Sequence, residues 1–259
     1  KTANFSSAPA ETLQLPPDAD WWYADPSRRV GGQRKLLPQE CVPDLHKFML
    51  YNHAALNFMV KYSPMLDIQS GLHYLPQTTE IHVVSVEGEC KELLFIRRQE
   101  QTMGASESVN LYAVDILKNG HINTTLLPLI DLHHSVVSFG LERGYLYEPN
   151  AAVLKAGAFN TLAVRYGLKK ADVNTHLYSG SELLPEFPGY IYKIAEVHLG
   201  GLKQLKLPNR NCHVISRNYP LSSEALSKQL RLTPSGEHYL FACTLHTRQK
   251  ALILAIKIA

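Results

Sequence analysis

The sequence predicts an α/β protein: one half of a doubly wound sheet with an antiparallel edge, followed by two small α+β segments. Three observations predict it. Strand-like and helix-like stretches alternate between residues 20 and 117. Two of the apolar strand-like runs stop at polar, proline-containing turns, one at Asp25-Pro26 and one at Lys61-Tyr62-Ser63-Pro64. Beyond residue 118 shorter strands and helices take over, punctuated by Pro149, Gly167 and Pro188-Gly189.

In chain order, residues 1–19 are a polar lead closed by Pro16-Pro17-Asp18. The aromatic run Trp21-Trp22-Tyr23-Ala24 is a strand that Pro26 must end, because proline cannot continue a central ladder. Leu45, Phe48 and Met49 share one side of a helix over residues 42–51. Residues 55–60 form a nearly continuous apolar run, which suits a parallel strand buried on both faces. A helix is expected over 66–75, with Asp67 as its cap. Strands are expected at 81–86, 93–96 and 109–114, the last two as a terminal pair flanking a polar loop at 99–108. Glu89, Lys91 and Glu92 read as an edge-strand ion network.

A second segment, 118–187, contains a strand at 145–148. There Pro149 is expected to open a single helix carrying Leu154, Ala158, Leu162 and Tyr166 on one stripe. The third, 188–259, reads as strand 190–197, basic helix 201–207, strand 212–216, a helix over 222–230 capped by Ser222, and strands 239–245 and 251–258.

Bulk properties narrow the function classes. The chain has 259 residues, 45% hydrophobic and 19% charged, which is globular rather than disordered composition. No apolar run approaches the roughly 20 residues a membrane helix needs. The four cysteines (41, 90, 212 and 243) form no CxxC pair and sit beside apolar stretches, so buried, reduced thiols and a cytoplasmic location are expected. A net charge of +3 is compatible with nucleic acid. His133-His134 beside Asp131 lacks a third spaced ligand, and no metal is expected.

The most informative segment is Asp25-Pro26-Ser27-Arg28-Arg29. In doubly wound folds ligands bind outside the carboxyl ends of the strands, where this turn falls. It resembles the Asp/Asn-Pro-Pro-aromatic motif of Rossmann-like amino-methyltransferases, with Ser27 in place of the second proline and Arg28 in place of the aromatic. Four further segments follow in order: 60–67, 89–94, the Tyr-Leu-Tyr-Glu-Pro-Asn block within 145–157, and 216–222. Together the five are similar to bacterial class I methyltransferases that carry a ferredoxin-like insert and a carboxyl-terminal THUMP-like domain. The resemblance implies S-adenosylmethionine as cofactor and RNA, either tRNA or rRNA, as partner, with no DNA specificity and no membrane. It divides the chain into a methyltransferase half-domain (20–117), a ferredoxin-like domain (118–187) and a THUMP-like domain (188–259). Asp25, Pro26 and Arg28 are the catalytic candidates, with Asp25 and Pro26 also touching the cofactor. Arg29, Lys61, Lys203, Lys206 and Arg217 are candidates for holding RNA; solvated charges are the plain alternative at each.

The family's glycine-rich cofactor turn should precede residue 20. The only glycines before residue 70 are Gly31 and Gly32, and the chain lacks an initiator methionine. It is therefore expected to lack the cofactor-binding half. The alternative function is a non-catalytic RNA-binding or interaction protein built on a degenerate methyltransferase fold.

Overall fold

A computed structural model describes the chain except for residues 1–6, 17, 36, 53–56, 100–108, 130, 135, 201, 203, 204, 206, 208, 209 and 259. It divides into two compact units, Lys1–Asp131 and Leu132–Ala259.

In the first unit β1 (Trp21–Ala24) is followed by a small hairpin, β2 (Arg29–Val30) and β3 (Gln33–Arg34). Then come α1 (Leu45–Tyr51), β4 (Asn57–Tyr62), α2 (Ile68–Tyr74), β5 (Glu80–Val86), β6 (Glu89–Arg97), β7 (Asn110–Ile116) and β8 (Ile122–Pro128). Six strands make one sheet in the order β1-β4-β6-β5-β7-β8. The pairs β1–β4 and β5–β7 are parallel, and the other three are antiparallel. This is the α/β half-sheet the sequence predicts, with one change in order. β6 and β7 are not a pair: β5 lies between them. The reason is local. Glu87 and Gly88, both at positive φ, turn β6 straight back along β5, and β6 enters the sheet between β4 and β5. β6 is thus an interior strand rather than an edge: the expected ion pairing is present between Lys91 and Glu89, 2.5 Å apart, while Glu92 faces β4. The domain boundary expected after residue 117 falls inside the first unit, at the β7–β8 hairpin, where the Leu117 amide donates to His121 O at 2.9 Å.

The burial pattern corrects a second expectation. β4 alternates, with Phe58, Val60 and Tyr62 buried and Asn57, Met59 and Lys61 half-buried. Both helices cover the first of these faces. Trp22 packs its ring 5.1 Å from Phe48 of α1 and from Phe58, and Gly71 of α2 lies directly on the Phe95 ring. The cap at Asp67 is present, its Oδ1 accepting from the Ser70 amide at 2.8 Å. α1 is capped by Asp44, which also accepts from the Tyr74 hydroxyl at 3.2 Å.

The second unit contains β9 (Tyr145–Pro149), α4 (Ala151–Ala156), α5 (Phe159–Arg165), β10 (Lys169–Asp172), β11 (Thr175–Gly180), β12 (Gly189–Leu199), β13 (His213–Arg217), α6 (Ser223–Leu230), β14 (His238–Thr244) and β15 (Lys250–Lys257). In chain order the short helix α3 (Asp131–His134) precedes β9. The side chains of His133 and His134 lie outside the described residues. Seven strands form one sheet, β10-β11-β9-β12-β15-β14-β13, antiparallel except for β13–β14.

The single helix expected from Pro149 is two helices. Pro149 ends β9 opposite Gly189, and Asn150 caps α4 by accepting from the Val153 amide. Gly157, at φ 74°, then takes the left-handed conformation that stops α4 at Ala156, and α5 starts anew at Phe159. Ser222 caps α6 through the Ala225 amide, and Leu226 of α6 is fully buried against Leu240, Leu252 and Leu254.

Candidate functional site

The first unit brings two of the sequence candidates together at the carboxyl end of its parallel strand pair. Ala24 sits opposite Val60 across β1–β4, so the next residues on each strand, Asp25 and Lys61, stand side by side. Lys61 Nζ lies 2.7 Å from Asp25 Oδ2. The third member of the cluster is Glu92, which the sequence assigns to an edge-strand ion network and not to the site. Lys61 pairs with Leu94 across β4–β6, and Glu92, two residues along on the same face, puts its Oε1 3.7 Å from Nζ. The lysine side chain is 27% exposed, and the Asp25 and Glu92 side chains are 53% and 39% exposed. The hydrogen bond to Asp25 holds the Lys61 ammonium above its ordinary pKa; partial burial opposes this, and Glu92 adds to it.

Pro26 is buried and anchors the turn, leaving Asp25 exposed. Backbone hydrogen bonds between Ser27 and Val42 tie the loop back, with Ser27 N to Val42 O at 2.6 Å. Arg28 points inward. Its Nη1 is buried without a hydrogen-bond partner among the described residues, as is the Tyr62 hydroxyl at the end of β4. Both act electrostatically on the buried Cys41 thiol or feel it, which places them in one neighbourhood. Burial pushes the Tyr62 phenol up.

The neighbouring candidates take separate positions. Arg29 is exposed on the β2–β3 hairpin opposite Arg34, and Lys35 is held by Glu40 at 3.5 Å. Gly31 and Gly32, with φ of 58° and 80°, form the two-residue turn of that hairpin. The turn accounts for them without a bound phosphate.

Two hollows of this unit lie elsewhere. One of about 480 Å³ is lined by Trp22, Met49, Phe58, Leu75 and Arg97, beneath α1 and the early residues of β1 and β4. Another, of about 540 Å³, is lined by Gln39, His46, Asp67, His73 and Tyr74. Neither includes Asp25 or Lys61. The strand-end cluster is preferred as the site because open α/β sheets bind ligands at the carboxyl ends of their strands.

In the second unit Arg217, expected to hold RNA, is engaged by Glu148. Its Nε and Nη2 lie 2.8 and 2.6 Å from Glu148 Oε1. Burial raises the Glu148 pKa, and Arg217 opposes the rise. Lys203 and Lys206 lie outside the described residues.

Residues 145–188 match the family described as a ferredoxin-like domain, and residues 189–257 match the one described as THUMP domain-like. The two matches meet between β11 and β12, yet both contribute strands to a single sheet through the β9–β12 ladder. No curated protein matches the chain. A crystal structure of a "putative methyltransferase from Porphyromonas gingivalis W83" superposes with a TM-score of 0.82 at 30% sequence identity. The match covers 93% of this chain and 60% of that one, so the chain spans less than two thirds of its structural relative. Among the described residues no helix is long and apolar enough to cross a membrane. The chain thus carries a ferredoxin-like and a THUMP-like match beside an α/β sheet, and is similar in fold to that structure.

Proposed function

We propose that the chain supplies the acceptor side of an S-adenosylmethionine-dependent methyltransferase that acts on RNA in the cytoplasm. The observation that carries this reading is the Asp25-Pro26 turn at the carboxyl end of a parallel strand, with Lys61 beside it, in a sheet of methyltransferase type. S-adenosylmethionine, when bound, supplies a methyl group on a positively charged sulfur. What this chain's residues do is position the acceptor. Methyl transfer needs the acceptor lone pair in line with the carbon it attacks, so orientation is the main task of the site. Asp25 accepts a hydrogen bond from the acceptor's N–H or O–H, and buried Pro26 keeps the turn rigid beneath it. The exposed Arg29 lies next to the turn and suits an RNA phosphate. The THUMP-like domain supports RNA as the partner.

Isothermal titration of the full-length protein with S-adenosylmethionine tests the reading, followed by tritium transfer to tRNA and rRNA. Asp25→Ala should abolish transfer with little loss of cofactor affinity. Absence of cofactor binding by the full-length protein would refute the proposal. It would favour the second reading, an RNA-binding scaffold on a degenerate methyltransferase fold. Ser27 and Arg28, where the related motif has proline and an aromatic, are what speak for that reading. RNA binding itself is tested by gel shift over a salt series, because phosphate contacts give affinity that falls steeply with salt.

A further inference from the structure

The cluster at the ends of β1 and β4 holds an acid, a base and a second acid in a fixed order. Lys61 of β4 sits between Asp25, at 2.7 Å in the turn after β1, and Glu92 of β6, at 3.7 Å. Sheet register positions all three, since Asp25 follows Ala24, Lys61 follows its partner Val60, and Glu92 is diagonal to Lys61.

A cation in this place discriminates between acceptors. A neutral amine that attacks a methyl sulfonium gains positive charge on nitrogen, and an ammonium group beside it opposes that change. A hydroxyl behaves in the opposite way. It becomes a competent nucleophile as its proton leaves, and the negative charge then developing on oxygen is stabilised by an adjacent ammonium. The carboxylate needed to take the proton is already in contact with that ammonium. The flat-ring support that an amine on a nucleobase would need is missing at Arg28, whose guanidinium turns inward and leaves Nη1 unpartnered among the described residues.

Resting on the methyl-transfer reading above, we infer that the acceptor is a hydroxyl, the ribose 2′-hydroxyl of RNA, bound between Asp25 and Lys61. The acceptor hydroxyl donates to the Asp25 carboxylate, and the Lys61 ammonium donates to the acceptor oxygen. As the oxygen–carbon bond forms, the sulfur–carbon bond of the donor breaks and its electron pair stays on sulfur. The hydroxyl proton passes to Asp25, whose half-exposed side chain releases it to water. Glu92 is a positioning residue. It keeps the Lys61 ammonium charged and at hand when Asp25 turns its hydrogen bond to the acceptor.

The test uses the full-length protein, labelled methyl donor and an RNA panel, with the product digested to nucleosides and the methyl group located by mass spectrometry. The expected result is a 2′-O-methyl ribose, lost by a factor on the order of a hundred or more in Lys61→Met. Methylation of a base nitrogen would overturn the hydroxyl assignment while leaving methyl transfer standing. Absence of transfer to any RNA would overturn both. A second readout needs no cofactor. Followed by carbon NMR of its ε-methylene in the 259-residue chain, Lys61 should titrate above an ordinary lysine, and Asp25→Asn and Glu92→Gln should each lower its pKa. A Lys61 that titrates alike in all three proteins would show that the cluster is not coupled and overturn the inference. For Glu92, the enzyme's pH–rate profile should shift in Glu92→Gln while cofactor affinity stays the same. An unchanged profile would remove Glu92 from the assignment.

Discussion

Arg217→Ala is the most informative perturbation of the second unit, because it separates a structural cation from an RNA contact. Glu148 has a side chain only 7% exposed, and Arg217 meets its Oε1 with two nitrogens. Removing one partner of a buried ion pair costs about 3–5 kcal/mol, because the charge left behind is desolvated and unpaired. Two features reduce that here. The Arg217 side chain is 44% exposed, and Tyr192 and Lys257 still lower the Glu148 pKa when Arg217 is gone. A loss of about 2 kcal/mol at pH 8 is expected, measured by urea unfolding followed by circular dichroism.

The loss should depend on pH with a definite sign. Burial already raises the Glu148 pKa in the folded state, and Arg217 counters the rise, so the variant's carboxyl titrates higher still. A carboxyl with a raised folded pKa stabilises the fold below its ordinary value of about 4.3, and that stabilisation is lost as pH rises through the folded value. The penalty of Arg217→Ala should therefore shrink as the pH falls from 8 towards 5, because each step towards a protonated Glu148 lessens the need for its partner. Glu148→Gln in the same background should remove most of the pH dependence. An equal loss at both pH values, or none, would refute this account and return Arg217 to the candidates for RNA contact.

Three more outcomes follow from the packing. Gly71→Ala should destabilise the first unit by about 1–3 kcal/mol in thermal unfolding, because its Cβ would fall on the fully buried Phe95 ring; unchanged stability would mean that α2 can lift off β6. Asn150→Ala should cost about 1 kcal/mol by the same assay, through loss of the α4 cap at the Val153 amide, and Asn150→Asp should retain most of it. Burial pushes the Cys212 thiol up to about 11 and the Cys243 thiol up to about 12. Both should resist Ellman's reagent at pH 8 until guanidinium unfolds the chain, and rapid native reaction at either would contradict their burial.

Several elements were legible in the sequence because their causes are local. Proline after Trp21–Ala24 ends a strand whatever surrounds it, and Asp67 and Ser222 cap helices using amides three residues away. The placement of Asp25 and Lys61 at strand ends was equally local, since each follows an apolar run. Their meeting at 2.7 Å was not, because it requires β1 and β4 to pair in parallel with Ala24 opposite Val60. Glu92 was read as an edge residue because only the β5–β6 hairpin, folding back between β4 and β5, carries it to Lys61.

Pro149 shows the opposite failure. Its preference for a helix start is real but weak, and the β9–β12 ladder with Gly189 outweighed it, leaving the start of the helix to Asn150. Arg217 looked like a free cation in the sequence because its partner, Glu148, is 69 residues away. Local chemistry in this sequence therefore determined where chains turn, where helices begin and which polar groups stand at strand ends. Tertiary structure decided which of those groups face one another, because strand order and register depend on the burial of residues far apart in the chain.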